Sequence, residues 1–413
     1  MRLLHTADWH VGRTLMNVSR QPDVAAAVAE VLDVAREERP DLIVHAGDLF
    51  DAFRPSTQDM HWAIDALREL GAVAPVYVLA GNHDSATLFD LFAKLLGPSS
   101  PVRFVPRPLP PGMGGVIELP GPRDEIVRLA PLPFVHAGRV VRWFEDPATW
   151  MSDYADRVGR LVQALDAGLR DGYDAGRHVL LFAAHLFVTG SRFSQSERPL
   201  TVTDAYATRR EALPAVSYSA YGHIHRPQAL PGLGAGRYAG SVVPLDMGER
   251  DETKEIVLVD ARPGRPPVVE PRPLRAGRRL LRLEGTLDEV ERDAPDVGDA
   301  LVQVTVRTDA PTPDLSDRIA RLLPDATVLE VFEDCAAMRL EALTDRAAQA
   351  EREAGFAELF RDYLAETGVR GGSADRVLRT FETVIAAIEN EQPVELPEVD
   401  ELDRAADRDA AAT

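Results

Sequence analysis

Ile43-Val44-His45-Ala46-Gly47-Asp48-Leu49-Phe50-Asp51 is the stretch on which the reading of the fold turns. The short apolar run from Leu42 to Ala46 reads as a buried parallel strand, and Gly47-Asp48 falls where such a strand ends and its loop begins. Asp48 is thereby set at the carboxyl edge of a sheet, where open α/β folds place their ligands. Two stretches of the same kind flank it. Leu3-Leu4-His5-Thr6-Ala7-Asp8-Trp9-His10 comes before, and Val76-Tyr77-Val78-Leu79-Ala80-Gly81-Asn82-His83-Asp84 after. Farther on, His178–His185 and Ser217–His225 are apolar runs that again end in polar side chains.

Asp8 and His10, like His223 and His225, stand two apart on extended backbone, so each pair points one way. With Asp48, Asn82 and His185 they make four imidazoles, two carboxylates and one amide on one edge. Such donors, without a thiolate, suit two ions of Mn²⁺, with Fe²⁺ or Zn²⁺ as alternatives, better than Mg²⁺. Asp48 is the natural bridge, because one carboxylate offers two oxygens to ions about 3.5–4 Å apart. His5 and His45 lie inside strands and read as core or supporting groups. His61, His136 and His178 stand in no motif, and Asp51 and Asp84 read as carboxylates that brace loops.

At 413 residues the chain has room for two or three domains, and its formal charge of −20 argues against gripping nucleic acid by net charge alone. The C-terminal stretch 389–413 carries nine acidic residues against Arg404 and Arg408, with no aromatic residue. It reads as a disordered acidic tail. Cys335 is the single cysteine, which fits a reducing compartment. With no signal-peptide pattern at the N-terminus and no apolar run of membrane length, the expected location is the cytoplasm.

Residues 1–275 alternate strands and helices as a layered α/β domain does, with helices expected at 24–38, 57–70, 87–96 and 152–169. Strands are expected at 102–105, 116–119 and 126–129, and the segments 237–243 and 255–260 as closing hairpin strands. A change of texture near Arg278 marks a small α+β domain, residues 278–343, with strands at 280–283, 301–307 and 327–332. Residues 344–390 are helical and charged, with apolar stripes through Phe356, Leu359, Phe360, Tyr363 and Leu364, then Val377, Phe381, Val384, Ile385 and Ile388. Residues 391–413 form the tail. Basic residues are nearly all arginine, with lysine only at Lys94 and Lys254. Arg272, Arg275, Arg278, Arg279 and Arg282 make the densest basic run, a candidate DNA contact or a solvated linker, and Arg13, Arg54 and Arg226 lie beside the motifs.

In their order, Asp8-x-His10, Gly47-Asp48-x-x-Asp51, Gly81-Asn82-His83-Asp84, His185 and Gly222-His223-x-His225 resemble the motif set of the calcineurin-like metallophosphoesterases. The flanks Asp8-Trp9-His10-Val11-Gly12-Arg13, Leu79 to Ser85, and Tyr221 to Gln228 with Tyr238-Ala239-Gly240-Ser241 are similar to the SbcD family of bacterial nuclease subunits. That resemblance implies a sandwich of two sheets with helices outside, plus a small α+β capping domain that binds DNA and C-terminal helices. It implies one ion on Asp8, His10 and His225, another on Asn82, His185 and His223, Asp48 between them, and His83 as the catalytic imidazole. It also implies a metal-dependent 3′–5′ exonuclease on duplex DNA and endonuclease on single strands or hairpins, in DNA end processing, repair and recombination. The partners would be an SbcC-type SMC-like ATPase, through residues 344–390, and a second copy of the chain. Leu15-Met16 and the Trp62 neighbourhood are candidates for the dimer face. A small-substrate phosphomonoesterase or cyclic-nucleotide phosphodiesterase, and a metal-stabilised scaffold that does not cut, are the alternative readings.

Overall fold

The computed structural model describes residues 1–136, 154–194, 196–197, 207–232 and 234–338, together with Phe360, Leu364, Val377, Leu378, Thr380 and Phe381. The acidic tail and most of the two striped C-terminal helices lie outside the described residues. Chain contacts divide the molecule into one unit of Met1–Arg307 with Pro313–Glu333 and a second of Thr308–Thr312 with Asp334–Thr413.

The first elements are β1 (Arg2–Thr6), the hairpin β2 (Thr14–Leu15) and β3 (Val18–Ser19), α1 (Gln21–Glu38), β4 (Leu42–His45), α2 (Thr57–Gly71), β5 (Val76–Leu79), α3 (Ala86–Leu96) and β6 (Val102–Val105). There follow β7 (Ile117–Pro120), β8 (Ile126–Leu132), α4 (Tyr154–Arg170), β9 (His178–His185), β10 (Tyr218–Gly222), β11 (Gln228–Ala229), β12 (Gly236–Tyr238), β13 (Glu255–Arg262) and β14 (Arg265–Pro273). The last are β15 (Leu280–Gly285), α5 (Leu287–Asp293), β16 (Leu301–Thr308), α6 (Leu315–Leu322) and β17 (Thr327–Cys335).

Two six-stranded sheets stand face to face, in the orders β14-β13-β1-β4-β5-β6 and β11-β12-β10-β9-β8-β7. Alternation along each strand explains the layering, since successive side chains leave opposite faces. Leu3, Leu42, Val44 and Leu79 of the first sheet meet Leu129, Leu181, Ala183 and Ala220 of the second in one core. Leu4, Ile43, Val76 and Val78 point the other way, into a core with α1, α2 and α3. On the far side α4 covers Leu180, Phe182 and Ala184. The order helix, sheet, sheet, helix is thus the expected sandwich. Its parallel strands β1, β4, β5, β9 and β10 all end toward one edge, which is what brings five distant loops together.

Three details differ from the sequence reading. The segment after Gly236 is a strand only to Tyr238, and it pairs with β10 and β11 and not with β13. The partner of β13 is β14, whose prolines mask its extended character in the sequence; it is an edge strand, where a missing N–H is tolerated. The hairpin β2–β3 turns at Met16 and Asn17, both with positive φ, the backbone of a type I′ turn.

Strands β15, β16 and β17 form a separate three-stranded sheet, with Val290, Val302, Val304 and Ile319 in its core. Leu15 is 5% exposed and packs with Met247, Leu280 and Leu301, so this residue is spent on holding that sheet and is not available to a second copy. Trp62 packs beside Trp9 in the main core.

Asp23 ties the two parts of this unit together. Its carboxylate accepts from Arg278 N at 2.8 Å, Nε at 2.9 Å and Nη2 at 2.8 Å, and lies 3.3 Å from Nη1 of the fully buried Arg20. Burial pushes the Asp23 pKa up, but the bonds from Arg278 outweigh it and hold the carboxyl below the usual carboxylate range. A depressed folded pKa contributes stability that is present above the unfolded value and lost as pH falls through the folded one. Asp23→Asn is therefore expected to cost about 3 kcal/mol in denaturant melts at neutral pH, the scale of a broken buried pair. The gap between variant and wild type should close on acidification below about pH 4; a gap that stays constant with pH would contradict the assignment.

Candidate metal centre

The loops after β1, β4 and β5 are knitted to one another before any ligand is considered. Parallel pairing runs on past the strand ends, with Asp8 N donating to Gly47 O (2.9 Å), His10 N to Asp48 O (3.2 Å) and Val11 N to Leu49 O (2.9 Å). The buried Asp84 carboxylate accepts from Leu49 N, Phe50 N and Gly81 N at 2.9–3.1 Å, which is the bracing role read from the sequence. Asp8, His10, Asp48 and His223 all have positive φ (51°, 48°, 52° and 99°), a conformation that only well-determined loops hold and that gathers at functional sites. Gly81 permits the closest approach, because a Cβ there would lie 2.0 Å from Asp48 Oδ1. Gly47 does the same for His185, whose Nδ1 would be 2.2 Å from a Cβ.

All seven sequence-predicted donors are buried and converge. Asp8, His10, Asp48 and His225 bring one donor atom each within 4.8 Å of one another. His10 Nε2 and His225 Nε2 face each other at 3.0 Å. Beside them, Asn82 Oδ1 is 2.7 Å from His223 Nδ1 and 3.0 Å from His185 Nε2, and those two ring nitrogens are 3.3 Å apart. Asp48 Oδ2 lies between the two groups, 3.6 Å from His10 Nε2 and 3.4 Å from His185 Nε2. Asp8 accepts from His223 N through both oxygens, at 3.0 and 3.2 Å, which joins the groups a second time.

The tautomers follow from the outer bonds. His185 Nδ1 is 2.8 Å from Ala46 O, an acceptor only, so this nitrogen carries the proton and a neutral ring turns the lone pair of Nε2 inward. His10 Nδ1 is 3.1 Å from the Asp51 carboxylate, with the same result. Asn82 Oδ1 and His185 Nε2 are then electron pairs turned on one another, and the Nε2 lone pair of His10 is turned on His225 Nε2. Cations are what such donors fit. In the metal-free chain protons serve instead: burial alone would lower the His185 pKa, but Asp48 beside it lifts it to about 9. Burial also pushes the Asp8 carboxyl up to about 7.

Residues that the sequence did not reveal complete the centre. Phe134 stacks on His223 at 5.7 Å and meets His185 edge-on at 6.1 Å, an apolar wall on one group of donors. Ser196, Glu197, Glu249 and Lys254 surround His225; the isolated Lys254, one of two lysines in the chain, was the only available signal. His83 is 7% exposed, its Nδ1 2.5 Å from Asp51 O and its ring against His10. His5 hydrogen-bonds Tyr218 across the two sheets at 3.0 Å, and His45 stacks edge-on with Trp9, both inside the core. His61 is exposed on α2, and His178 accepts from Asp174 N at the start of β9. Most of the basic run is occupied internally: Arg272 with Glu38 and Glu270, Arg278 with Asp23, Arg279 with the carbonyls of Asp296 and Val297, and Arg282 with Gln303. Arg13 braces Asp51.

Because bound ions require His185 and Asp8 deprotonated at these sites, saturating the metal-free chain with Mn²⁺ at pH 7 is expected to release more than one proton. The apparent affinity should rise with pH across the range from about 6 to 9. Calorimetry in two buffers of different ionisation enthalpy measures the release, and no net proton would contradict the donor assignment.

The family described as calcineurin-like phosphoesterase matches residues 1–227, and a second, described as type 5 capsule protein repressor C-terminal domain, matches residues 276–368. Among curated proteins, the SbcD subunit of the nuclease SbcCD from Bacillus subtilis is 31% identical over 68% of this chain and 72% of its own length. The proteins of the same description from Rhodobacter capsulatus (30% identical; 69% of this chain, 73% of its own) and Staphylococcus epidermidis (24%; 70% and 74%) align over similar spans. With the first match covering more than half of the sequence and these relatives extending through it, the chain belongs to the calcineurin-like phosphoesterase family, in its SbcD branch.

Proposed function

We propose that the chain is a metal-dependent DNA nuclease subunit that carries two divalent ions, Mn²⁺ being the best fit to its donors. The observation that carries this reading is the single oxygen of Asp48 set between two nitrogen-rich donor groups, at 3.6 and 3.4 Å. Asp8, His10 and His225 would hold one ion and Asn82, His185 and His223 the other, with Asp48 available to both. When bound, the pair supplies Lewis-acid charge for in-line attack of water on a phosphodiester. The chain's own part is to fix the donors in their deprotonated forms, to keep Phe134 against one side of the centre, and to present His83. Asp51 O orients the His83 ring through Nδ1, and Nε2 is the atom assigned to the leaving oxygen.

The substrate is DNA, cut from duplex ends in the 3′–5′ direction and within single strands or hairpins. A small phosphate ester is less well supported, since such a substrate has no use for the second family match at 276–368. A scaffold that does not cut is less well supported, since it has no use for a buried imidazole packed against the donor His10. The partners are an SbcC-type SMC-like ATPase and a second copy of the chain in the cytoplasm. The outer face of α3, where Leu91 is 49% exposed beside Phe53 and Leu95 is 73% exposed, is an apolar surface that suits that second copy.

His83→Leu is expected to retain both ions by metal analysis and to lose about 10²–10³-fold in cleavage rate. Loss of an ion with the activity would make His83 a ligand. Assays with Mn²⁺ on linear duplex, hairpin DNA and p-nitrophenyl phosphate esters test the substrate; a preference for the monoester would overturn the nuclease reading. For the partner, Val377 is 43% exposed among the striped residues. Val377→Asp should abolish co-purification with the ATPase while leaving the melting temperature unchanged. Continued co-purification would place the ATPase elsewhere.

A further inference from the structure

Behind His225, on the side away from the other donors, lies a buried polar cluster with no part in the mechanism above. It is built from two segments far apart in sequence: Ser194, Ser196 and Glu197 in the loop that follows β9, and Asp246–Lys254 before β13. Glu249 is fully buried and Lys254, Glu197 and Ser194 are nearly so. His225 is gripped at three atoms. Its N–H donates to Glu197 Oε1 (3.0 Å), its carbonyl accepts from Lys254 Nζ (3.0 Å), and its Nδ1 stands 2.5 Å from Ser196 Oγ. The Glu249 carboxylate also accepts from Leu245 N at 3.0 Å and pairs with Lys254 Nζ at 2.6 Å.

The direction of the bonds decides what this cluster does. Glu249 pairs with the buried Lys254 ammonium at 2.6 Å and accepts from Leu245 N, so its side chain is a carboxylate. An ionised carboxylate only accepts, so the Ser196 hydroxyl, which is hydrogen-bonded to Glu249 Oε1, gives its proton to that bond. Ser196 Oγ is then the acceptor toward His225, and Nδ1 must carry the ring proton. Glu249 Oε1 itself is 3.6 Å from Nδ1, too long for a direct hydrogen bond, and the hydroxyl spans the gap.

We infer that Ser196 and Glu249 are positioning residues for one ion of the pair: the hydroxyl relays the Glu249 carboxylate to His225 Nδ1 and turns the Nε2 lone pair onto the ion shared with Asp8 and His10. This rests on the two-ion reading and deepens it. His10 receives the same service directly from Asp51, and His185 from the Ala46 carbonyl, so of these three arms only that of His225 works through an intervening hydroxyl. The consequence is an asymmetry. Displacement of Ser196 weakens one ion and leaves the ion on Asn82, His185 and His223 in place. The competing reading is that Glu249 and Lys254 merely staple the loop in the core, which would give Ser196 no selective effect on either ion.

The test is Mn²⁺ titration of the full-length chain by calorimetry, with melting of the metal-free protein as control. Ser196→Ala is expected to weaken one Mn²⁺ by about 10–100-fold, to leave the other unchanged, and to leave the metal-free melting temperature as it was. Ser196→Thr, which keeps the hydroxyl, should restore wild-type binding. Two unchanged affinities in Ser196→Ala would overturn the inference, as would equal weakening of both ions with a lowered melting temperature. A wild-type chain that takes up fewer than two ions would sink the two-ion reading itself, and this inference with it.

Discussion

Lone pairs that face each other at 3 Å inside a protein repel unless a cation or a proton lies between them, and the whole edge of this sandwich is arranged to create that situation. His10 and His225 meet through their Nε2 atoms, and Asn82 Oδ1 meets His185 Nε2. Each approach is imposed from outside. The Asp51 carboxylate and the Ala46 carbonyl fix the rings, and glycines at the strand ends let the loops come closer than any Cβ would allow. Four donors sit at positive φ, so part of the folding energy of two large cores is stored as strain at the centre. Aspartate and histidine tolerate that backbone better than most residues, which suits Asp8, His10, Asp48 and His223 to their places.

This arrangement also explains how an acidic chain can hold an anionic substrate. With a formal charge of −20 the molecule as a whole repels DNA. The attraction must be local, and the arginines that look available in the sequence are largely committed within the chain: Arg278 to Asp23, Arg272 to Glu38, Arg13 to Asp51. Divalent metal bound against the buried Asp48 would supply concentrated positive charge where phosphate sits, and would also remove the repulsion among the donors.

What was legible in the sequence, and what was not, divides by the range of the interaction. The strand-end donors could be found because a four- or five-residue apolar run and the polar residue that ends it are local in sequence, and parallel strands carry such ends to one edge. The support of His225 could not. Ser196 and Glu249 reach it from 29 and 24 residues away along the chain, through a loop with no periodic pattern. Phe134 lies just past β8 in a proline-rich stretch and stands in no motif. Strand β14 was hidden for the opposite reason, since its prolines argue against a strand in general and not against an edge strand. In the basic run at 272–282, composition shows charge without showing the carboxylates folded against it.

The second unit carries the same lesson into the question of partners. Phe360 and Phe381, drawn from the two apolar stripes, stack on one another with ring centroids 4.1 Å apart and planes 15° from parallel. Aromatic surface consumed in that contact is not on offer to another protein. Among the described stripe residues Leu364 is buried and Val377 is 43% exposed. A partner that docks here would meet two segments already joined to each other at Phe360 and Phe381. It then avoids the cost of ordering each helix separately, and a small apolar patch can support an association that loose stripes of the same composition could not.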